Sequence, residues 1–109
     1  MAVNSDLMRG VAEPVILKLL AERTMYGYEI IRLVNERTNG AFEWKEGTLY
    51  PCLHRLEEQG LIESSWQLAG AKPRKYYSIT RKGIAAMEEK AREAKEFVGA
   101  LHLLLGAAN

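Results

Sequence analysis

A single cysteine, Cys52, stands in a chain of 109 residues, which excludes an internal disulfide and a CxxC metal site. No run approaches the roughly 18 consecutive apolar residues of a membrane helix. The stretch 1–9 lacks the apolar centre of a signal peptide, so a cytoplasmic location is expected. Internal repeats and low-complexity segments are absent, as are Gly-rich phosphate loops, paired-carboxylate sites and His/Cys ligand sets. Cys52 and His54 are two apart on an expected helix and so face different ways, and His102 lies far along the chain. An enzyme is therefore not expected, nor a cofactor, and Cys52 reads as a small buried apolar residue. A thiol sensor is the other reading of Cys52.

Net charge is also scarce, at +1. Its distribution says more than its sum. Lys72, Arg74, Lys75, Arg81 and Lys82 fall within eleven residues that hold no acid, whereas Glu88, Glu89, Glu93 and Glu96 gather near the end. A near-neutral total can thus hide one basic face, and DNA binding depends on the face. The 48% hydrophobic and 27% charged residues are ordinary for a folded domain. This length suits one compact domain, of a size that often buries more surface by dimerising.

The apolar spacing gives an order of elements. A first helix is expected over 7–20, with Asp6 as cap and Pro14 marking a kink or the start of the regular part. A second spans 26–38 and stops at Asn39-Gly40. Residues 41–44 read as a small strand or extended link. A third helix covers 46–59, with Leu49, Leu53 and Leu56 as its apolar stripe, and ends at Gly60. Alternation over 61–68 and a strand over 75–80 make a hairpin around a turn at 69–73. Thr80 caps a last helix. There Ile84, Met87, Ala91, Ala94, Val98, Leu101 and Leu105 are spaced three, four, three, four, three and four, a heptad seam.

The fold class is thus mainly α with a small β-hairpin wing: a winged helix-turn-helix over 1–80 and a long C-terminal dimerisation helix over 81–109. In a winged helix the helix before the hairpin enters the major groove and the hairpin meets the backbone. Lys45, Thr48, Tyr50, His54 and Arg55 lie at the start and exposed side of that helix. Their hydroxyls and cations suit phosphates and base edges. Lys72, Arg74 and Lys75 on the wing suit the sugar-phosphate backbone. Tyr50 packs or touches DNA with equal standing, and one of Tyr76 and Tyr77 is expected in the core. The seam is expected to pair two chains, joined by Leu7, Met8 and Val11 of the first helix against the partner's last helix. The other possibility is that the last helix folds back on its own chain. A protein-interaction winged helix that does not touch DNA is the competing function, and it would lack a basic wing.

The segments Met25-Tyr26-Gly27-Tyr28-Glu29-Ile30, Gly47-Thr48-Leu49-Tyr50-Pro51, 53–62, 74–80 and Gly83, in this order, closely resemble the PadR family of bacterial transcriptional regulators. The resemblance covers about residues 8 to 84, and the short C-terminal region is similar to the subfamily with one dimerisation helix, which includes multidrug-sensing repressors. It implies a homodimeric repressor on a palindromic operator, often released by a small aromatic or phenolic compound. On this resemblance Thr48, Tyr50, Arg74 and Lys75 have DNA-contact roles. Between subunits, Met8, Val15, Met87, Phe97 and Leu101 would line a hydrophobic effector site, although such residues also serve as plain interface core. Many relatives have Ser-Pro where this chain has Lys45-Glu46; Lys45 cannot accept the capping hydrogen bond but adds a cation near phosphate.

Overall fold

A computed structural model describes residues 9–106. The elements in chain order are α1 (Ala12–Glu22), β1 (Met25–Tyr26), α2 (Gly27–Arg37), α3 (Glu46–Glu58), β2 (Ile62–Ala69), β3 (Lys72–Ile79) and α4 (Arg81–Leu105). Pro14 falls in the first turn of α1, where its missing N–H removes no helical bond. The expected start of that helix, with Asp6, Leu7 and Met8, lies outside the described residues.

The core is formed where the apolar stripes of three helices meet the base of the sheet. Ile16, Leu17 and Leu20 of α1, Ile30 and Val34 of α2, and Leu49, Cys52, Leu53 and Leu56 of α3 are all buried. Met25, Leu61, Ile62 and Tyr77 close it from the sheet side. Two carboxylates tie the helices outside this core. Glu22 receives both terminal nitrogens of Arg37 at 2.8 and 2.9 Å, joining the ends of α1 and α2. Glu13 of α1 meets Lys90 of α4 at 2.9 Å and Arg55 of α3 at 3.8 Å.

Of the two readings of 41–44, a small strand or an extended link, the structure has the link, and the third strand is Met25–Tyr26. The link has other partners for its backbone. The Phe42 N–H donates to Thr38 Oγ1 at 3.0 Å and the Trp44 N–H to Asn35 Oδ1 at 2.9 Å. These bonds let Trp44 enter the core, where its indole N–H has no partner among the described residues. β1 pairs antiparallel with β3, Met25 opposite Tyr77 and Tyr26 opposite Tyr76, giving the order β1-β3-β2.

The hairpin is also tighter than expected. Ala69 pairs with Lys72, so the turn shrinks to Gly70 and Ala71, and Lys72 and Arg74 belong to β3 rather than to a loop. Gly70 has φ of 67°, a left-handed conformation that glycine adopts without a Cβ penalty. Pro73 is tolerated because β1 reaches only Tyr76 and Tyr77, leaving this part of β3 as an edge.

Thr80 joins the wing, the end of α3 and α4. Its Oγ1 accepts from the Gly83 N–H at 3.0 Å and donates to the Gly60 carbonyl at 2.8 Å, while its own N–H reaches the Leu61 carbonyl at 3.0 Å. Gly83 packs so closely on the Leu61 carbonyl that a Cβ there would overlap it, and Ile79 Cγ1 would lie 2.7 Å away. A fixed launch angle for α4 follows. Its first half lies against α1, with Ala86 and Met87 on the core, and its second half runs on beyond the body. The molecule is accordingly elongated, 51 × 30 × 21 Å.

Candidate nucleic-acid interface

α3 exposes one face and buries the other. Leu49, Cys52, Leu53 and Leu56 point inward, which leaves Tyr50, Pro51 and His54 outside. Lys45 is the N-cap residue in extended conformation and makes no side-chain cap, so the first amides of α3 keep free donors beside a cation. Thr48 is half-buried one turn in. His54 is held to its own helix, Nε2 lying 3.2 Å from Glu58 Oε1. Arg55 departs from this group: its guanidinium turns to Glu13 on α1, beside Lys90 of α4.

Tyr50 does pack, and on a specific neighbour. Its ring and hydroxyl lie against Gly27, the first residue of α2, so closely that any side chain there would displace them. The ring remains partly exposed, its outer face available. Gly27 and Tyr50 therefore belong to one contact, although 22 residues separate them in sequence.

The wing supplies the cations. The Arg74 guanidinium sits 4.3 Å above the Tyr26 ring, and Tyr26 meets Tyr76 edge to face at 5.5 Å. Such stacking fixes a long side chain at low entropic cost. Lys75 Nζ lies 5.8 Å from the Tyr77 ring. Among the described residues, Lys45, Lys72, Arg74 and Lys75 make no ion pair, so no carboxylate neutralises their charge. Of the two wing tyrosines, Tyr77 is the buried one, and burial raises its hydroxyl above the usual range.

These parts enclose one concavity of about 650 Å³. Tyr28 and Tyr50 line it from the helices, and Trp66, Lys72, Arg74 and Lys75 from the wing. Sequence reasoning had not placed Tyr28 and Trp66 here. The period-two pattern puts Trp66 on one side of β2, but only the hairpin's position over α2 and α3 shows what that side faces.

Two further grooves flank α4. One of about 790 Å³ lies between α1 and α4 and is lined by Val11, Val15, Leu19, Met87, Ala91 and Ala94 with polar rims. Val11, expected against a partner's helix, here faces α4 of its own chain. Val15 and Met87, expected in a cavity between subunits, share this groove within one chain. Phe97 instead lines a neighbouring groove with Glu13, Arg55 and Lys90, and Leu101 lines neither. Cys52 is fully buried; burial first, and the Glu13 carboxylate second, push its thiol up to about 11. It therefore stays protonated at neutral pH, which disfavours thiolate chemistry. No group of three metal-ligating side chains and no helix long and apolar enough to cross a membrane occur among the described residues.

A helix pair, a third helix with an exposed N-terminal face and a cationic hairpin beside it define a winged helix-turn-helix of the DNA-binding type. The pattern of the PadR-like family of transcriptional regulators matches residues 16–89, and the chain belongs to that family. It is 38% identical over 91 residues to the transcriptional regulator Rv3488 of Mycobacterium tuberculosis, covering 84% of this chain and 82% of that protein. It is 41% identical over 95 residues to protein X of Lysinibacillus sphaericus, covering 86% and 87%. Among solved structures, a transcriptional regulator from Clostridium thermocellum superposes with a TM-score of 0.82 at 35% identity over 93% of this chain and 96% of that one. A PadR family transcriptional regulator from Eggerthella lenta gives 0.79 at 32%, over 94% and 88%. The chain is thus a transcriptional regulator and not an enzyme, and its family implies DNA binding.

Proposed function

We propose that this regulator is a homodimeric repressor that binds a two-fold operator and is released by a small hydrophobic effector. The concave face shared by α3 and the wing carries the DNA-binding part: it gathers Tyr50, Lys72, Arg74 and Lys75 around one space with no carboxylate in its lining. Lys45, Thr48 and His54 extend that face along α3, whereas Arg55, engaged by Glu13, supports the helix from the other side. In a two-fold dimer the recognition helices stand about one DNA turn apart, roughly 34 Å.

The dimer reading is supported by the second half of α4. Val98, Leu101 and Leu105 are exposed although they continue the heptad seam, and Phe97 beside them is exposed too. Ile84 is likewise partly exposed. Met87, Ala91 and Ala94 are already half-covered by α1, so the partner's share of the seam falls mainly on its far end. The effector reading is supported by the α1–α4 groove, whose apolar lining includes the adaptable Met87. In the neighbouring groove Glu13 of α1 pairs with Lys90 of α4 and Arg55 of α3, so a shift of α1 against α4 would be felt at α3.

Footprinting of the purified protein on its own upstream region tests the proposal. Protection of two half-sites one helical turn apart, lost on adding planar hydrophobic compounds, is the expected result. The double variant Arg74→Glu, Lys75→Glu should bind far more weakly and lower the salt-dependence slope by about two per protomer. Unchanged affinity would remove the wing from the interface. Protection unaffected across a varied panel of compounds would remove the effector.

A further inference from the structure

The wing turns large apolar side chains outward. Trp66 and Leu68 on β2 are 69% and 76% exposed. Both share the strand face that begins at buried Ile62, because residues two apart point the same way. Their cross-strand partners are Lys75 and Pro73. Apolar surface of this size left in water forgoes the stabilisation that burial gives, and a contiguous patch marks a surface that meets a partner.

The surroundings say which partner. Trp66 lines the concavity with Tyr28, Tyr50, Lys72, Arg74 and Lys75, and no carboxylate lines it. β1 pairs only with Tyr76 and Tyr77, so residues 72–75 of β3 have a neighbour on the β2 side alone and leave an open edge. A peptide strand adding to this edge would find Pro73 without a donor. The occupant that fits is elongated, anionic and partly apolar. A sugar-phosphate strand alternates an anion with an apolar ring.

We infer that the concavity grips one sugar-phosphate strand of the DNA duplex, with a deoxyribose packed on the indole of Trp66 and phosphates held by Arg74 and Lys75. Tyr28 and Tyr50 form the facing wall, and Leu68 extends the apolar floor toward the wing tip. This rests on the DNA-binding reading above and adds a contact of different chemistry. An apolar sugar contact displaces no counterions and reads no bases.

The two tryptophans make the test direct. Trp44 is 1% exposed and Trp66 is 69% exposed, so acrylamide quenching reports Trp66. The full chain is titrated with its own upstream duplex and with an unrelated duplex of equal length, at several salt concentrations. Both duplexes should shield Trp66 from acrylamide. Trp66→Ala should weaken binding to both by about tenfold, with an unchanged salt slope. Trp66→Phe should retain most of the affinity, and Arg74→Ala should lower the slope. Far-UV dichroism and Trp44 emission check that the variants are folded. If DNA binds while Trp66 stays as quenchable as in the free protein, or if Trp66→Ala binds as the wild type does, the strand grip is overturned and the regulator reading stands. A Trp66→Ala variant that changes sequence preference instead of lowering both affinities also overturns it, in favour of base contact. Absence of binding to either duplex even at low salt removes both readings.

Discussion

The body of this regulator and the far end of its last helix carry the same kind of apolar periodicity and meet opposite fates. In the body, every stripe finds a surface: Leu49, Leu53 and Leu56 of α3 are at most 1% exposed. Toward its end α4 runs clear of the other described residues, and Leu103, Leu104 and Leu105 are each at least 80% exposed. The difference lies in geometry rather than in side chains. A helix of 25 residues is about 37 Å long, more than the body can cover from its launch point at Thr80. The body thus supplies its own stability, while the far end offers surface for association.

Substitutions in the two regions should separate these roles. Leu53→Ala removes buried volume from the centre of the body and should cost about 2–5 kcal/mol in urea unfolding. Gly83→Ala forces a Cβ onto the Leu61 carbonyl, and an overpacking cost of about 1–3 kcal/mol is expected in the same assay. A thermally neutral Gly83→Ala would mean that α4 leaves the body at an adjustable angle. Thr80→Ala loses the cap and the bond to Gly60, for about 1 kcal/mol.

The far end should respond in mass rather than in fold. Val98→Asp combined with Leu101→Asp should leave the monomer's stability within about 0.5 kcal/mol, yet convert the species seen by sedimentation from dimer to monomer. A monomeric wild type would end the comparison, because the far end would then have no partner. The smallest effect is expected from the ion pair between α1 and α2. Its Arg37 hydrogen bonds hold Glu22 below the ordinary glutamate value of 4.5. The carboxylate is thus favoured in the folded state, and its contribution is present above pH 4.5 and lost as pH falls through the lowered value. The melting temperatures of wild type and Glu22→Gln should therefore differ slightly at pH 7 and converge in acid, more so at high salt because both groups face water.

Much of the fold is legible residue by residue. Asn39 and Gly40 both have positive φ where α2 was expected to stop, and Gly60 does the same after α3. Thr80 caps α4 as its position implies. Where the reading was open or went astray, long-range bonds prevailed over local pattern. Residues 41–44 were open to a strand or an extended link, and the link is decided by Asn35, which holds the Trp44 backbone, and by the core, which takes its side chain. Tyr26 was expected to open the second helix, but two residues carry no period, and Met25 and Tyr26 become a strand only through Tyr76 and Tyr77.

The candidate interface divides along the same line. Local sequence determined that α3 would bury its leucines, that a hairpin would carry Lys72, Arg74 and Lys75, and that a heptad stripe would run the length of α4. These follow from side-chain periodicity, turn chemistry and charge, which act over a few residues. Tertiary structure alone decided that Tyr50 rests on Gly27, that Arg55 turns to Glu13, that Trp66 looks across to Tyr28, and that the stripe on α4 is half-covered near its start and bare at its end. Those outcomes depend on where distant elements dock, and docking is set by the summed packing of the whole core.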